Sequence, residues 1–221
     1  MKVVIFGTCY NAENILSTIL SEEGHDVHCC AGTDNMGQAL KNADIVVSLL
    51  TPSFKVNNVT VSNQVKYVLD STNKAGVKRF IQLSHSTVPD PNDSFTPLFW
   101  IFNKVVQLIF KVFCVETSQI AELIKTSDLD WTLIRVGLVK EKPETISTKV
   151  GYVRKDMGFY ISGYNLANFL AREIKENRFA KKTICISQYN ERMSPAGTRG
   201  LREHIEHTEH IIDRDTFNRD N

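Results

Sequence analysis

Ser84, His85 and Ser86 stand in a row where the strand-like run Val77 to Ser84 gives way to a loop. Two hydroxyls around an imidazole can polarise a carbonyl or pass a proton. No acidic residue is placed to orient the imidazole, so a hydrolase-type triad is not expected. Near the N-terminus, Gly7 closes the β-branched run Lys2 to Gly7 and opens the segment Gly7-Thr8-Cys9-Tyr10-Asn11-Ala12-Glu13. A strand that turns into a helix presents backbone amides to an anion, and the dinucleotide fingerprint uses three glycines there. Only the first glycine is present. Tyr10 puts a ring where backbone should approach phosphate, and Glu13 adds a like charge in the first helical turn. Anion binding at this turn is therefore expected to be weakened rather than abolished. His204, His207 and His210 recur every three residues, with no carboxylate or cysteine placed beside them. No metal site is expected from them.

Those residues must be positioned by alternating elements. Strands are expected at 2–7, 25–30, 43–50, 77–84, 131–136 and 183–187, and helices at 11–23, 59–75, 97–113, 115–127 and 163–177. Ile15, Ile19 and Leu20 mark the apolar face of the first helix, which Gly24 stops. Strands alternating with helices imply a Rossmann-like, doubly wound, mainly parallel sheet. In such a sheet the ligand crevice lies beyond the carboxyl ends of the strands. The turns after Gly7, Leu50, Ser84 and Arg135 should converge there. The region from 137 to 162 reads as less regular.

The chain of 221 residues, 42% hydrophobic, suits one domain. We place it at 1–187, with 188–221 as a polar tail expected to be disordered. A net charge of +1 and scattered basic residues give no reason to expect a nucleic-acid partner. The five cysteines are odd in number and irregularly spaced, so neither a zinc site nor a disulfide framework is expected. Four of them sit in apolar runs and read as small buried hydrophobes. Met1 to Gly7 lacks the features of a signal peptide, so a cytoplasmic location is the expectation.

The aromatic-rich stretch 97–113 is ambiguous. Asn103, Gln107 and Lys111 make a polar stripe with Lys104 beside it, which argues against a membrane span. Its apolar surface is wider than one core-facing stripe needs. It reads either as a buried helix with that stripe exposed, as a wall of a substrate pocket, or as a contact for homo-oligomers.

Ala75-Gly76-Val77-Lys78-Arg79-Phe80 leading into Leu83-Ser84 resembles the helix-to-strand segment of NmrA-like and biliverdin-reductase-B-like atypical short-chain dehydrogenases. Leu129-Asp130-Trp131-Thr132-Leu133-Ile134-Arg135-Val136-Gly137 is similar to another segment of that family, and Lys182-Thr183-Ile184-Cys185-Ile186-Ser187 to its closing strand. Relatives include averufin-oxidase-like proteins and non-catalytic dinucleotide sensors. The resemblance implies an NAD(P) cofactor held by Gly7, Thr8, Cys9, Tyr10 and Asn11, with Asp34 near the adenine and Leu50, Thr51 and Pro52 lining the cofactor. It places Ser84, His85 and Ser86 beside the nicotinamide, and Lys104 and Glu122 at the edge of the site. Typical members use a tyrosine four residues before a lysine; here Trp100 stands four before Lys104, and an indole cannot serve as that acid. The run His25 to Cys30 also leads almost directly into Ala31-Gly32-Thr33-Asp34, where relatives carry about another strand. The residue that would choose NAD over NADP is lost with it.

Two functions follow. One is an NAD(P)-dependent oxidoreductase acting on a small apolar or aromatic molecule, with Ser84 and His85 polarising the substrate. The other is a degenerate, non-catalytic dinucleotide fold that regulates a protein partner through its apolar helix. A third reading is that the deletion leaves a chain that folds poorly. The tail has few apolar residues to bury, so deleting residues 191–221 should leave the melting temperature within a few degrees; a fall of about ten degrees or more would show that it docks on the domain.

Overall fold

The computed structural model describes residues 1–9, 11–30, 32, 36–54, 61–94, 97–141, 148–153 and 157–188. The side chains of Leu98, Phe99 and Phe102 also fall outside that set, as do Tyr10, Asp34 and residues 189–221 of the tail, whose first residue, Gln188, ends β9. In chain order the elements are β1 (Lys2–Phe6), α1 (Ala12–Glu22), β2 (Asp26–Cys30), α2 (Met36–Leu40), β3 (Ile45–Ser48), α3 (Val61–Lys74), β4 (Arg79–His85), α4 (Pro97–Ile109), α5 (Lys111–Lys125), β5 (Asp130–Val136), β6 (Leu138–Lys140), β7 (Thr148–Gly151), β8 (Tyr160–Ser162), α6 (Gly163–Glu176) and β9 (Lys182–Gln188).

A seven-stranded sheet runs β2-β1-β3-β4-β5-β9-β7, parallel except for the antiparallel β7–β9 pair. β1, β3, β4 and β5 bury nearly every residue, as strands covered on both faces must. Val3 and Ile5 face one core with Leu16 and Leu20 of α1 and Leu166 and Leu170 of α6. Val4 and Phe6 face the other, with Met36 of α2, Val65 of α3 and Ile120 of α5. The sheet is thus wound on both sides. α1 turns slightly from the expected face: Ala12, Leu16 and Leu20 are its buried residues, while Ile15 and Ile19 pack at the margin.

The common order of such sheets places one more strand outside β2. Here β2 is the edge strand, largely exposed, and the short α2 occupies the connection back to β3. The shortened segment has therefore removed the edge strand and left the switch point between β1 and β3 in place. The cysteines depart from expectation: Cys9 and Cys185 are buried, but Cys29 is exposed and Cys30 and Cys114 are half-buried.

A buried charge pair locks the sheet to α6. At the amino end of the sheet, Arg79 of β4 donates to Glu173 of α6 at 2.6 Å and to Thr132 of β5 at 2.7 Å. Glu173 also accepts from Thr132 and from the amides of Arg178 and Phe179. Burial lowers the Arg79 pKa and raises that of Glu173, and each partner's charge opposes the shift. Removing one member of such a pair strands the other without water. Glu173→Ala should cost about 3–5 kcal/mol in urea denaturation, whereas Arg79→Met with Glu173→Leu should cost far less than the single change. Equal losses would show that the pair is not what holds this corner.

Candidate functional site

β1 leaves the sheet at Gly7, whose φ is +82°. A Cβ there would lie 2.8 Å from Cδ2 of Leu50 and 3.1 Å from its backbone nitrogen. Only glycine satisfies both the left-handed backbone and the close approach of the loop after β3. The Gly7 amide donates to the Cys30 carbonyl at 3.0 Å, and the Leu49 amide donates to the Phe6 carbonyl at 2.8 Å. Gly7, Leu50 and the half-buried Thr51 and Pro52 therefore meet at the carboxyl ends of β1 and β3.

The rest of the turn is built without glycine. Asn11, just before α1, adopts the left-handed conformation at φ +64°, which asparagine tolerates best after glycine. Its side chain accepts from Asn14 Nδ2 rather than capping the helix. Glu13 does more than add a distant charge: its Oε2 accepts the Cys9 amide at 2.9 Å. An amide of the turn after β1 is thus already held by a carboxylate of the chain itself. Thr8 and Asn11 are exposed, and Cys9 is buried. Burial, and then the Glu13 charge, push the Cys9 thiol up to about 12, which rules it out as a nucleophile at neutral pH.

At the end of β4, Ser84, His85 and Ser86 are all buried. Their Oγ, Nε2 and Oγ atoms have no hydrogen-bond partner among the described residues. His85 Nδ1 accepts the Thr87 amide at 3.3 Å, with the Thr87 hydroxyl at 3.2 Å. A nitrogen that accepts carries no proton, so the neutral ring holds its proton on Nε2. Burial lowers the His85 pKa to about 4, so the ring is neutral at physiological pH. It can donate a hydrogen bond but is not a cationic acid. Phe54, from the loop after β3, meets His85 edge-on at 5.6 Å and stacks on Phe113 of α5 at 4.1 Å. Phe110, at the junction of α4 and α5, closes on Phe54 at 4.9 Å.

The rim behind this cluster is fixed by Arg135, which is fully buried and grips Asp93 through two hydrogen bonds of 2.7 and 2.8 Å. Gly137 follows because the Phe159 carbonyl crosses where its Cβ would stand.

The structure gathers Gly7, Leu50 and His85, with their neighbours, at adjacent strand ends. Lys104 is exposed on α4 and Glu122 is exposed on α5. Tyr10 and Asp34 lie outside the described residues. Two polar groups escaped the sequence reading. Gln82, buried inside β4, donates from Nε2 to the Leu50 carbonyl at 2.9 Å, and its Oε1 has no partner among the described residues. Ser48, buried at the end of β3, has an equally partnerless Oγ. A polar residue inside an otherwise apolar buried strand is the signal that would have found them. Among the described residues no cluster could hold a metal ion.

A family model for NAD(P)H-binding domains matches residues 26–177. No protein of curated function matches the chain. Solved structures of similar fold include an oxidoreductase from Lactococcus lactis, at 15% identity and TM-score 0.66, covering 96% of this chain and 100% of that one. ChuY from Escherichia coli O157:H7, an anaerobilin reductase, gives 15% identity and TM-score 0.63, covering 89% and 100%. A short-chain dehydrogenase/reductase from Veillonella parvula, solved with NADP, gives 14% and 0.59, covering 89% and 99%. With more than half of its length matched, the chain belongs to the NAD(P)H-binding family.

Proposed function

We propose that the protein is an NAD(P)-dependent oxidoreductase that acts on a small apolar or aromatic substrate. The observation that carries this reading is the row of buried, partnerless polar atoms on Ser84, His85 and Ser86 beside three aromatic rings. A buried polar atom without a partner costs about 1–3 kcal/mol, which a ligand's carbonyl or hydroxyl could relieve. When bound, the dinucleotide would supply or accept a hydride. Gly7 and Leu50 to Pro52 fit its phosphate-to-ribose side, and Ser84 to Ser86 the reacting side. Ser84 and the Nε2–H of His85 would polarise the substrate carbonyl. Lys104, exposed on α4, would reach the site only at its edge.

A second reading has its own support. Glu13 occupies the Cys9 amide, and Phe54 covers His85. Both suit a non-catalytic module with weak cofactor affinity that regulates a protein partner.

Titration with NADH and NADPH separates the two. Weak wild-type binding that tightens about tenfold or more in Tyr10→Gly with Glu13→Gly supports the oxidoreductase, especially with turnover of reduced nicotinamide. No binding by either protein supports the module. Tight binding by the wild type would mean that the turn holds phosphate in spite of Glu13.

The His85 environment gives a second test. Free imidazole takes its proton near 6.5, whereas His85 in the fold resists until about 4. Between those values the unfolded chain binds more protons, so stability is complete above about pH 6.5 and is lost as pH falls toward 4. Over that window the wild type should lose up to about 3 kcal/mol more than His85→Gln. Parallel pH–stability curves would show that His85 is not held neutral.

A further inference from the structure

α4 does not sit as a buried helix. Among its described side chains Val106 alone is buried, while Leu108 is 85% exposed, Ile109 63%, Ile101 54%, Trp100 53% and Val105 48%. At about 100° per residue, Leu108, Ile101, Val105 and Ile109 form one continuous arc of roughly 100°, with Lys104 and Trp100 along one edge. Lys111, at the start of α5, is also exposed.

The exposed charges nearest the arc in sequence, Lys104 and Lys111, are both positive. The sequence holds no acidic residue between Asp93 and Glu116. Asp93 is bound to Arg135, and Glu116 is buried against the Ser62 amide and hydroxyl. On α5 the exposed residues after Lys111 are Val115, Ser118 and Gln119, and the first exposed carboxylate, Glu122, stands about three turns beyond Lys111. We propose that α4 lies in the plane of an anionic lipid surface, with Leu108 and its apolar neighbours in the acyl boundary and Lys104 and Lys111 against the headgroups.

Three features favour this occupant. Thirteen residues span only about 20 Å, short of the roughly 30 Å of hydrocarbon in a bilayer, so the helix can lie in a membrane but not cross it. An apolar arc bordered by lysine and tryptophan is the pattern of interfacial helices. A two-fold pairing of copies through the same face would bring lysines toward lysines with no carboxylate on that face to offset them.

The test uses the intact chain with vesicles of phosphatidylcholine alone or with about a third phosphatidylglycerol. The protein should sediment with the anionic vesicles, and its fluorescence should shift to the blue. That shift reports Trp100, because Trp131 is already buried. Ile101→Glu with Leu108→Glu should weaken partitioning about tenfold or more, and the milder Leu108→Ser should weaken it less. Both should keep the wild-type circular dichroism and urea midpoint, because both positions are exposed. Lys104→Glu with Lys111→Glu should abolish the preference for anionic vesicles. The proposal falls if the wild type ignores anionic vesicles at low salt. It also falls if light scattering shows a dimer in which Trp100 is shielded from a soluble quencher before lipid is added.

Discussion

The carboxyl end of the sheet is organised by one buried charge. Arg135 is the penultimate residue of β5 and has no exposure, and a guanidinium in that position is tolerable only if its donors are answered. Asp93 answers two of them and the Val88 carbonyl a third contact. Burial works against the charge on Arg135, but the hydrogen bonds and charge of Asp93 outweigh it and raise the pKa. Because Asp93 and Val88 belong to the loop after β4, the pair draws that loop over the strand ends. Asp93 also accepts the Val153 amide, and the Ser94 amide donates to the Val153 carbonyl, so the segment after β7 is tied to the same point. The rim around Ser84, His85 and Ser86 therefore owes its shape to Arg135. Its role is to position, and nothing places it against a reacting atom.

The opposite side of the crevice follows another logic. An amide-rich turn attracts an anion, and the chain supplies one in Glu13. A hydrogen bond to a charged group is worth about 1.5–3 kcal/mol, and a pyrophosphate would have to compete with it. The match to the NAD(P)H-binding family starts at residue 26, after β1, this turn and α1. At the strand ends beyond this turn, Ser48, Ser84, His85 and Ser86 carry buried polar atoms without a partner among the described residues.

How much of this the sequence discloses depends on how local the cause is. Buried parallel strands leave continuous apolar runs, so β1, β3, β4, β5 and β9 were legible to within a few residues. β6, β7 and β8 were not, because strands of three or four residues carry too little periodicity. Their existence depends on partners far along the chain, as when β7 pairs with β9. Of the stripe Asn103, Gln107 and Lys111, the last two are exposed, but Asn103 is half-buried with its Oδ1 enclosed, and the apolar Leu108 and Ile109 face outward as well. Periodicity identifies two faces of a helix; which one finds a neighbour is decided by tertiary packing. The partnership of Glu13 with Cys9 was equally hidden, since charge type and spacing do not say where a side chain turns.

The break between α4 and α5 links the exposed helix to the buried cluster. Phe110 leaves helical geometry at φ −117° and ψ 52°, ahead of the break that the sequence pattern places after residue 113, and its ring enters the group around Phe54. The ring group, in turn, excludes water from His85 and so keeps the imidazole neutral. A neutral donor enclosed by aromatic faces discriminates by chemistry. A charged substrate would lose hydration there without gaining an opposite charge, whereas a flat neutral carbonyl compound could stack on Phe54 or Phe113 and accept from Nε2. Any such molecule must first displace Phe54, which stacks on Phe113 and closes against His85. The loop after β3 therefore joins the two halves of the crevice: Leu50 packs on Gly7 at the end of β1, and four residues later Phe54 closes edge-on against the imidazole.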